Sequence, residues 1–185
     1  MLIREAVESD AERILAIRTH TIAEQNYFLS TSEEFHVDVE MHRSKIVENK
    51  QSGGVTLVAE DNGEVIAFLT FNRNQMKRLR HTGSFGMAIA EKYRNQGLGA
   101  KMLLHLIDWV KTQSGIEKVC LGVLSTNERA IAMYKKVGFV EEGREVRQVK
   151  LENGDYVDNV MMGLFIPHKQ AVRIPPQNVR KSEEV

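Results

Sequence analysis

The sequence predicts a mixed α/β fold, in which helices flank a central, mostly antiparallel sheet. Two pairs of β-rich runs are each joined by an Asn-Gly turn, Asp61-Asn62-Gly63-Glu64 and Glu152-Asn153-Gly154-Asp155, a strong short-range signal for a hairpin. Other segments repeat their apolar residues at helical spacing instead of alternating. Between the two kinds of segment, a β-rich run passes through a glycine-containing turn into an amphipathic helix that carries Met102, Leu103, Leu106, Ile107 and Val110 on one face.

In chain order, Ser9-Asp10-Ala11-Glu12 has the Ser-x-x-Glu form of a capping box, and Ile14, Leu15, Ile17 and Ile22 follow at helical spacing. A first helix is therefore expected over about residues 9–24. Residues 25–35 show no period, and a weaker helix is expected over 38–50. Strands follow at 55–59 and 65–71, on either side of the first Asn-Gly turn, and a third at 81–90. The glycine turn at 94–100 leads into the amphipathic helix, and a strand at 118–124 comes next. Ser125, Thr126 and Asn127 are each competent to cap the helix carrying Ala130, Ile131, Tyr134 and Val137, which Gly138 ends. Two last strands, 139–151 and 156–165, flank the second Asn-Gly turn. The polar tail 167–185 holds all three prolines and reads as a loose extension to one domain at 1–166.

Composition narrows the function classes. With 185 residues, 42% of them hydrophobic and 27% charged, the chain can bury a sizeable core as one domain. Lys+Arg and Asp+Glu both number 25, so no global charge draws the protein to nucleic acid or anionic membrane. No apolar run nears the roughly 18 residues that span a bilayer, and the start of the chain lacks the apolar stretch of a signal peptide. The cytoplasm is the expected location. The single cysteine, Cys120, allows no intrachain disulfide and reads as a small core residue, with no Cys/His pairing nearby. No metal is expected.

Two constellations carry chemistry. A helix N-terminus presents unpaired N–H groups and a partial positive charge, and glycine lets an anion approach the backbone, so Arg94, Asn95, Gln96, Gly97, Leu98, Gly99 and Ala100 are shaped to hold phosphate oxygens. Plain strand-to-helix turns share this spacing, and neither the P-loop nor the dinucleotide fingerprint fits. On the next helix Asn127 and Tyr134 stand seven residues apart, nearly two turns, which puts them on one face about 10 Å apart. Separately, an N-cap and a core aromatic explain them as well.

Taken in order and spacing, Tyr93-Arg94-Asn95-Gln96-Gly97-Leu98-Gly99 and then Asn127-Glu128-Arg129-Ala130-Ile131-Ala132-Met133-Tyr134-Lys135-Lys136-Val137-Gly138-Phe139 closely resemble the GNAT superfamily of acetyltransferases. The first segment matches that family's Gln/Arg-x-x-Gly-x-Gly/Ala signature, and the second its Asn-to-Tyr helix ending in Gly-Phe. The resemblance spans about residues 1–166. Within the superfamily, Glu142-Gly143 through Asp158 looks most like a bacterial branch acting on small amines or amino acids.

The resemblance implies a GNAT fold whose sheet splays between its fourth and fifth strands. It implies acetyl-CoA as acyl donor, a small-molecule amine as acceptor and no metal, and it leaves a homodimer open. Residues 94–100 would hold the CoA pyrophosphate. A bulged strand at Met87, Ala88 and Ile89 would pair with the pantetheine arm, and an amide near Ile89 would meet the thioester oxygen. Asn127 would bind the cofactor arm, and Tyr134 would donate a proton to the departing thiolate. The bases of two known branches are missing, since Gly122 and Gly83 occupy their places. His81 and Glu24 are the substitutes considered, beside water or an amine that arrives deprotonated. A protein N-terminal acetyltransferase and a non-catalytic CoA-binding module are the competing readings.

Overall fold

The computed structural model describes residues 1–24 and 27–167. Its elements run β1 (Leu2–Glu5), α1 (Ala11–Ala23), α2 (Val39–Gln51), β2 (Val55–Asp61), β3 (Glu64–Arg73), β4 (Thr82–Ile89), α3 (Leu98–Thr112), β5 (Lys118–Leu124), α4 (Glu128–Val137), β6 (Val140–Lys150) and β7 (Tyr156–Phe165), with short 3-10 turns at Glu8–Asp10 and Glu91–Tyr93. The strands form one sheet in the order β1-β2-β3-β4-β5-β7-β6. Only β4 and β5 run parallel, and the other neighbours are antiparallel, so the expected mostly antiparallel mixed sheet is found.

The two Asn-Gly turns close the β2–β3 and β6–β7 hairpins. In the first, Asn62 and Gly63 take φ of 50° and 81°, the positive pair that a tight two-residue hairpin turn needs. Apolar clusters lie on both faces of the sheet. One joins α3 and α4 to Phe71, Phe85, Leu121 and Val123, and the other joins α1 and α2 to Val58, Phe68 and Ala88. The β6 edge is almost wholly exposed, interrupted by register shifts and rich in charged side chains, a pattern that disfavours edge-to-edge pairing.

The N-terminus differs from the sequence expectation in two ways. Four residues, Leu2–Glu5, add an edge strand against β2, too short to show alternation by itself. The helix is also not capped by a Ser9/Glu12 box. It begins at Ala11, and the Asp10 carboxylate accepts instead from the Val7 N–H at 2.8 Å and from the Arg4 guanidinium at 2.7 and 2.9 Å. Arg4 also reaches Glu60 at 2.9 Å, which ties β1, α1 and β2 together. Asp10 is nearly buried, and burial is the largest single influence, raising its carboxyl; the hydrogen bonds from Arg4 and Val7 and the Arg4 charge together outweigh it and hold the carboxyl below the usual range. Asp10→Asn should therefore leave a partly buried guanidinium poorly paired and cost about 2 kcal/mol in a denaturant melt.

The feature that positions the site is the contact of β4 with β5. Their pairing covers only Thr82↔Lys118, Gly83↔Val119 and Ser84↔Cys120. Beyond it the strands part, giving the expected splay. The expected bulge is not found: β4 keeps one unbroken register against β3 from Gly83 to Ile89. The opening comes from the early end of the parallel pairing, where β5 stays with β7.

Candidate active site

Ladder alternation decides which main-chain groups look into the fork. Ala90 N–H donates to the Ile66 carbonyl at 2.9 Å and Asn74 N–H to that of Thr82 at 3.0 Å. These two bonds set the phase in which Gly86 and Ala88 pair with β3, while the main chain of Met87 and Ile89 faces β5. On β5 the bonds Ile166 N–H to Glu117 and Ser125 N–H to Asp158 leave Gly122 and Leu124 facing β4. Past the last pair these groups have no strand partner; the Ile89 and Leu124 carbonyls accept instead from Arg94 Nε and Asn127 N–H, and an extended amide-bearing chain can satisfy the others as an added strand would. Of the three residues expected to line this slot, Met87 and Ile89 do so. Ala88 turns its main chain to Phe68 and buries its side chain in the α1/α2 cluster.

The glycine turn stands at the mouth of the fork. Gly97 is left-handed at φ 77° and caps α3 without a side-chain bond. Helical bonding begins with Lys101 N–H to the Gly97 carbonyl at 3.2 Å, so the N–H groups of Leu98, Gly99 and Ala100 remain to bind an anion. A side chain at Gly97 would meet open space, which suits a close ligand. Gly99 is a glycine for a different reason. A Cβ there would lie 2.8 Å from the Met133 sulfur, so its smallness brings α3 against α4. Asn95, at φ 63°, accepts from Arg129 on α4 at 2.5 Å, and Gln96 bonds back to the Lys92 carbonyl at 2.9 Å.

Arg94 does not point at the turn's anion site. Its guanidinium makes a two-pronged pair with Glu24 at the end of α1, both contacts 2.7 Å, and its Nε donates to the Ile89 carbonyl at 2.8 Å. The Arg94 hydrogen bond holds the Glu24 carboxyl below the ordinary range, and the guanidinium takes up both its oxygens. His81 is exposed just before β4, at the closed end of the fork. It is six residues from Met87, roughly 20 Å along the strand. Gly122 in turn has the Asn159 amide over it, 2.8 Å from a built Cβ.

Asn127 and Tyr134 lie on α4 as expected. Asn127 is the N-cap, with its Oδ1 accepting from Ala130 N–H at 3.2 Å and its N–H donating to the Leu124 carbonyl at 2.8 Å. Its Nδ2 makes no hydrogen bond among the described residues. The Tyr134 ring packs 5.9 Å from both Phe85 on β4 and Phe139, which holds it beside the fork. It is 8% exposed, and burial pushes the phenol up to about 12. Its hydroxyl makes no hydrogen bond among the described residues, unlike a tyrosine satisfied in a core. Cys120 is half-buried, with its thiol pushed up chiefly by burial, as an inert thiol should be.

Nothing in the sequence pattern announced a second feature, a cavity of about 480 Å³ on the other face of the sheet. Its roof is Arg18 on α1 with His42 and Lys45 on α2. Its floor is Thr56, Thr70 and Gly86, which stand in register across β2, β3 and β4. His42 is 5% exposed and both its ring nitrogens lack a partner among the described residues. Burial, with Arg18 and Lys45 adding to it, pulls its imidazole down to about 4. A base whose folded pKa lies below its unfolded value stabilises the fold fully above the unfolded pKa, and that stability is lost as pH falls through the folded value. His42→Leu should therefore flatten the decline in stability between pH 6.5 and 4, by up to about 3 kcal/mol in paired denaturant melts.

Among the described residues no group of three or more His, Cys, Asp or Glu side chains could hold a metal, and no helix is long and apolar enough to cross a membrane. The model of the acetyltransferase (GNAT) family matches residues 3–139. The chain is 28% identical over 162 residues to the L-amino acid N-acetyltransferase AaaT of Escherichia coli, covering 88% of this chain and 96% of that one. An acetyltransferase of the GNAT family from Streptococcus pneumoniae superposes with TM-score 0.84 at 29% identity, over 89% of this chain and 99% of that one. The Salmonella typhimurium protein yncA, solved with its cofactor acetyl-CoA, has the same fold at TM-score 0.83 and 23% identity, over 93% and 97%.

Proposed function

The chain belongs to the GNAT family of acetyltransferases, and on that membership we propose that it transfers acetyl from acetyl-CoA to the primary amine of a small molecule or amino acid, directly, within one ternary complex. The observation that carries this reading is Tyr134, a buried phenol with no hydrogen bond among the described residues, packed on Phe85 of β4 beside the fork. A module that only binds CoA has no need of such a proton donor. Acetyl-CoA supplies the activated thioester. The N–H groups of Leu98, Gly99 and Ala100, with the turn at Arg94, Asn95, Gln96 and Gly97, hold the pyrophosphate. Met87 and Ile89 pair with the pantetheine arm, and Asn127 donates to it through Nδ2. The Ile89 amide stabilises charge on the thioester oxygen as the amine attacks.

Tyr134 delivers its proton to the sulfur as the bond to the acetyl carbon breaks. With Glu24 and His81 out of place, the amine loses its proton to water or before it binds. The catalytic domain occupies residues 1–166. The E. coli relative named for L-amino acids and the neighbour solved with acetyl-CoA both support the reading. The test is thiol release from acetyl-CoA over amines, polyamines, amino acids and short peptides, beside the intact mass of the protein after acetyl-CoA alone. Acceptor-dependent thiol with an unmodified chain is expected. An acetyl group retained on the chain rules out direct transfer, and preference for peptides makes the protein an N-terminal acetyltransferase.

A further inference from the structure

The cavity roofed by α1 and α2 contains more positive charge than its neighbours balance. Arg18 lies with its Cζ 4.9 Å over the Phe68 ring, its Nε is buried without a partner, and no carboxylate lies within ion-pair distance of it among the described residues. Burial pulls its pKa down, with no acidic neighbour opposing that effect. Lys45 and Arg73 line the same space, against a single carboxylate, Glu48. A guanidinium stripped of water without a counter-ion is costly, and a planar fork of N–H donors is best matched by a carboxylate. Beside it, His42 is buried with both nitrogens unpaired, and a neutral imidazole offers one N–H donor.

The position of the cavity links this charge to the reaction. The floor row Thr56, Thr70 and Gly86 ends at β4, two residues past the last β4–β5 pair. A Cβ built on Gly86 meets nothing within 4 Å, so the cavity has free space against β4 just past the point where the strands part. Phe68, under the guanidinium, pairs with Ala88, two residues beyond Gly86 on the same strand, and Arg18 and Gly86 line the same cavity.

We propose that this cavity seats an acceptor carrying a carboxylate beside its amine, an α-amino acid, with Arg18 and His42 holding the carboxylate and the amine lying at Gly86 where the fork opens. This rests on the acetyl-transfer reading above and names the acceptor class within it. Arg18 is a binding residue that sets specificity, and it takes no part in the bond changes.

The experiment compares four L-amino acids, methionine, phenylalanine, leucine and glutamate, with their α-amides as acceptors for the full chain. kcat/KM is expressed per neutral amine, because the amide's amine is the weaker base. The wild type should prefer at least one acid over its amide by about 10- to 100-fold, as a charge-assisted hydrogen-bonded contact implies. In Arg18→Gln that preference should fall to near unity, and Arg18→Lys should recover part of it. A merely structural Arg18 would lower acid and amide alike and leave the ratio intact, which overturns the proposal. Equal use of acid and amide by the wild type also overturns it, and needs no variant to fold. If neither acids nor amides release thiol while spermidine or phenethylamine does, the acceptor class is wrong and acetyl transfer stands. If no acceptor of any kind releases thiol, both fail together.

Discussion

Gly97→Glu lowers the affinity for acetyl-CoA by at least about 100-fold, whereas Gly97→Asn keeps most of it. Both variants place a side chain where φ is 77°, at a cost of about 1 kcal/mol that asparagine bears more easily than most residues. Only glutamate adds a negative charge, in the open space above the N–H groups of Leu98, Gly99 and Ala100. At 4 Å from a phosphate oxygen and an effective dielectric constant near 20, one charge pair is worth about 4 kcal/mol, enough for the predicted loss. Titration calorimetry with acetyl-CoA, beside a thermal melt, measures both effects. Unchanged affinity in Gly97→Glu would remove the turn as the pyrophosphate site. Gly99→Glu is a poorer test, because its Cβ would collide with Met133 and confound binding with packing.

The comparison of affinities works because the turn was legible in the sequence while the reason for each glycine was not. Gly97 and Gly99 look alike in a one-dimensional spacing, yet one supplies a left-handed φ and the other a close helix contact. The hairpins, β5, β7 and the Asn127-capped helix lay where local chemistry put them, because Asn-Gly turns, alternation and caps act within a few residues. Asp10 has local partners in Val7 and Arg4 that fit no Ser-x-x-Glu pattern, whereas strand β1 depends on pairing with β2 and on the Arg4–Glu60 contact, 56 residues apart, which leaves no local signal. The same holds for the Arg94–Glu24 pair, which spans 70 residues and turns a candidate base into an anchor. The missing β4 bulge has a related cause, since only the neighbouring strands determine where a parallel pairing ends. Arg18 and His42 were invisible because each is an ordinary polar residue on an amphipathic helix. Their meaning lies in the partners they lack.

Tyr134→Phe decides between a catalyst and a binding module, because it removes one hydroxyl and leaves the ring packed on Phe85 and Phe139. The hydroxyl makes no hydrogen bond among the described residues, so its loss should not cost the roughly 1 kcal/mol of a broken core hydrogen bond. If it protonates the thiolate only in the transition state, kcat should fall while acetyl-CoA affinity and the melting temperature barely move. The expected fall is about 10²- to 10⁴-fold, with water replacing part of the proton delivery at the low end. Because burial holds the phenol near 12, Tyr134 stays protonated through the neutral range, and kcat of the wild type should show no alkaline loss from it below about pH 11. The measurement is kcat for wild type and Tyr134→Phe at saturating acetyl-CoA, on an acceptor found by the panel, with chemistry shown to be rate-limiting and a melt alongside. A fall of 100-fold or more at unchanged melting temperature is the predicted result, and equal kcat values would contradict it and leave the sulfur without its proton donor.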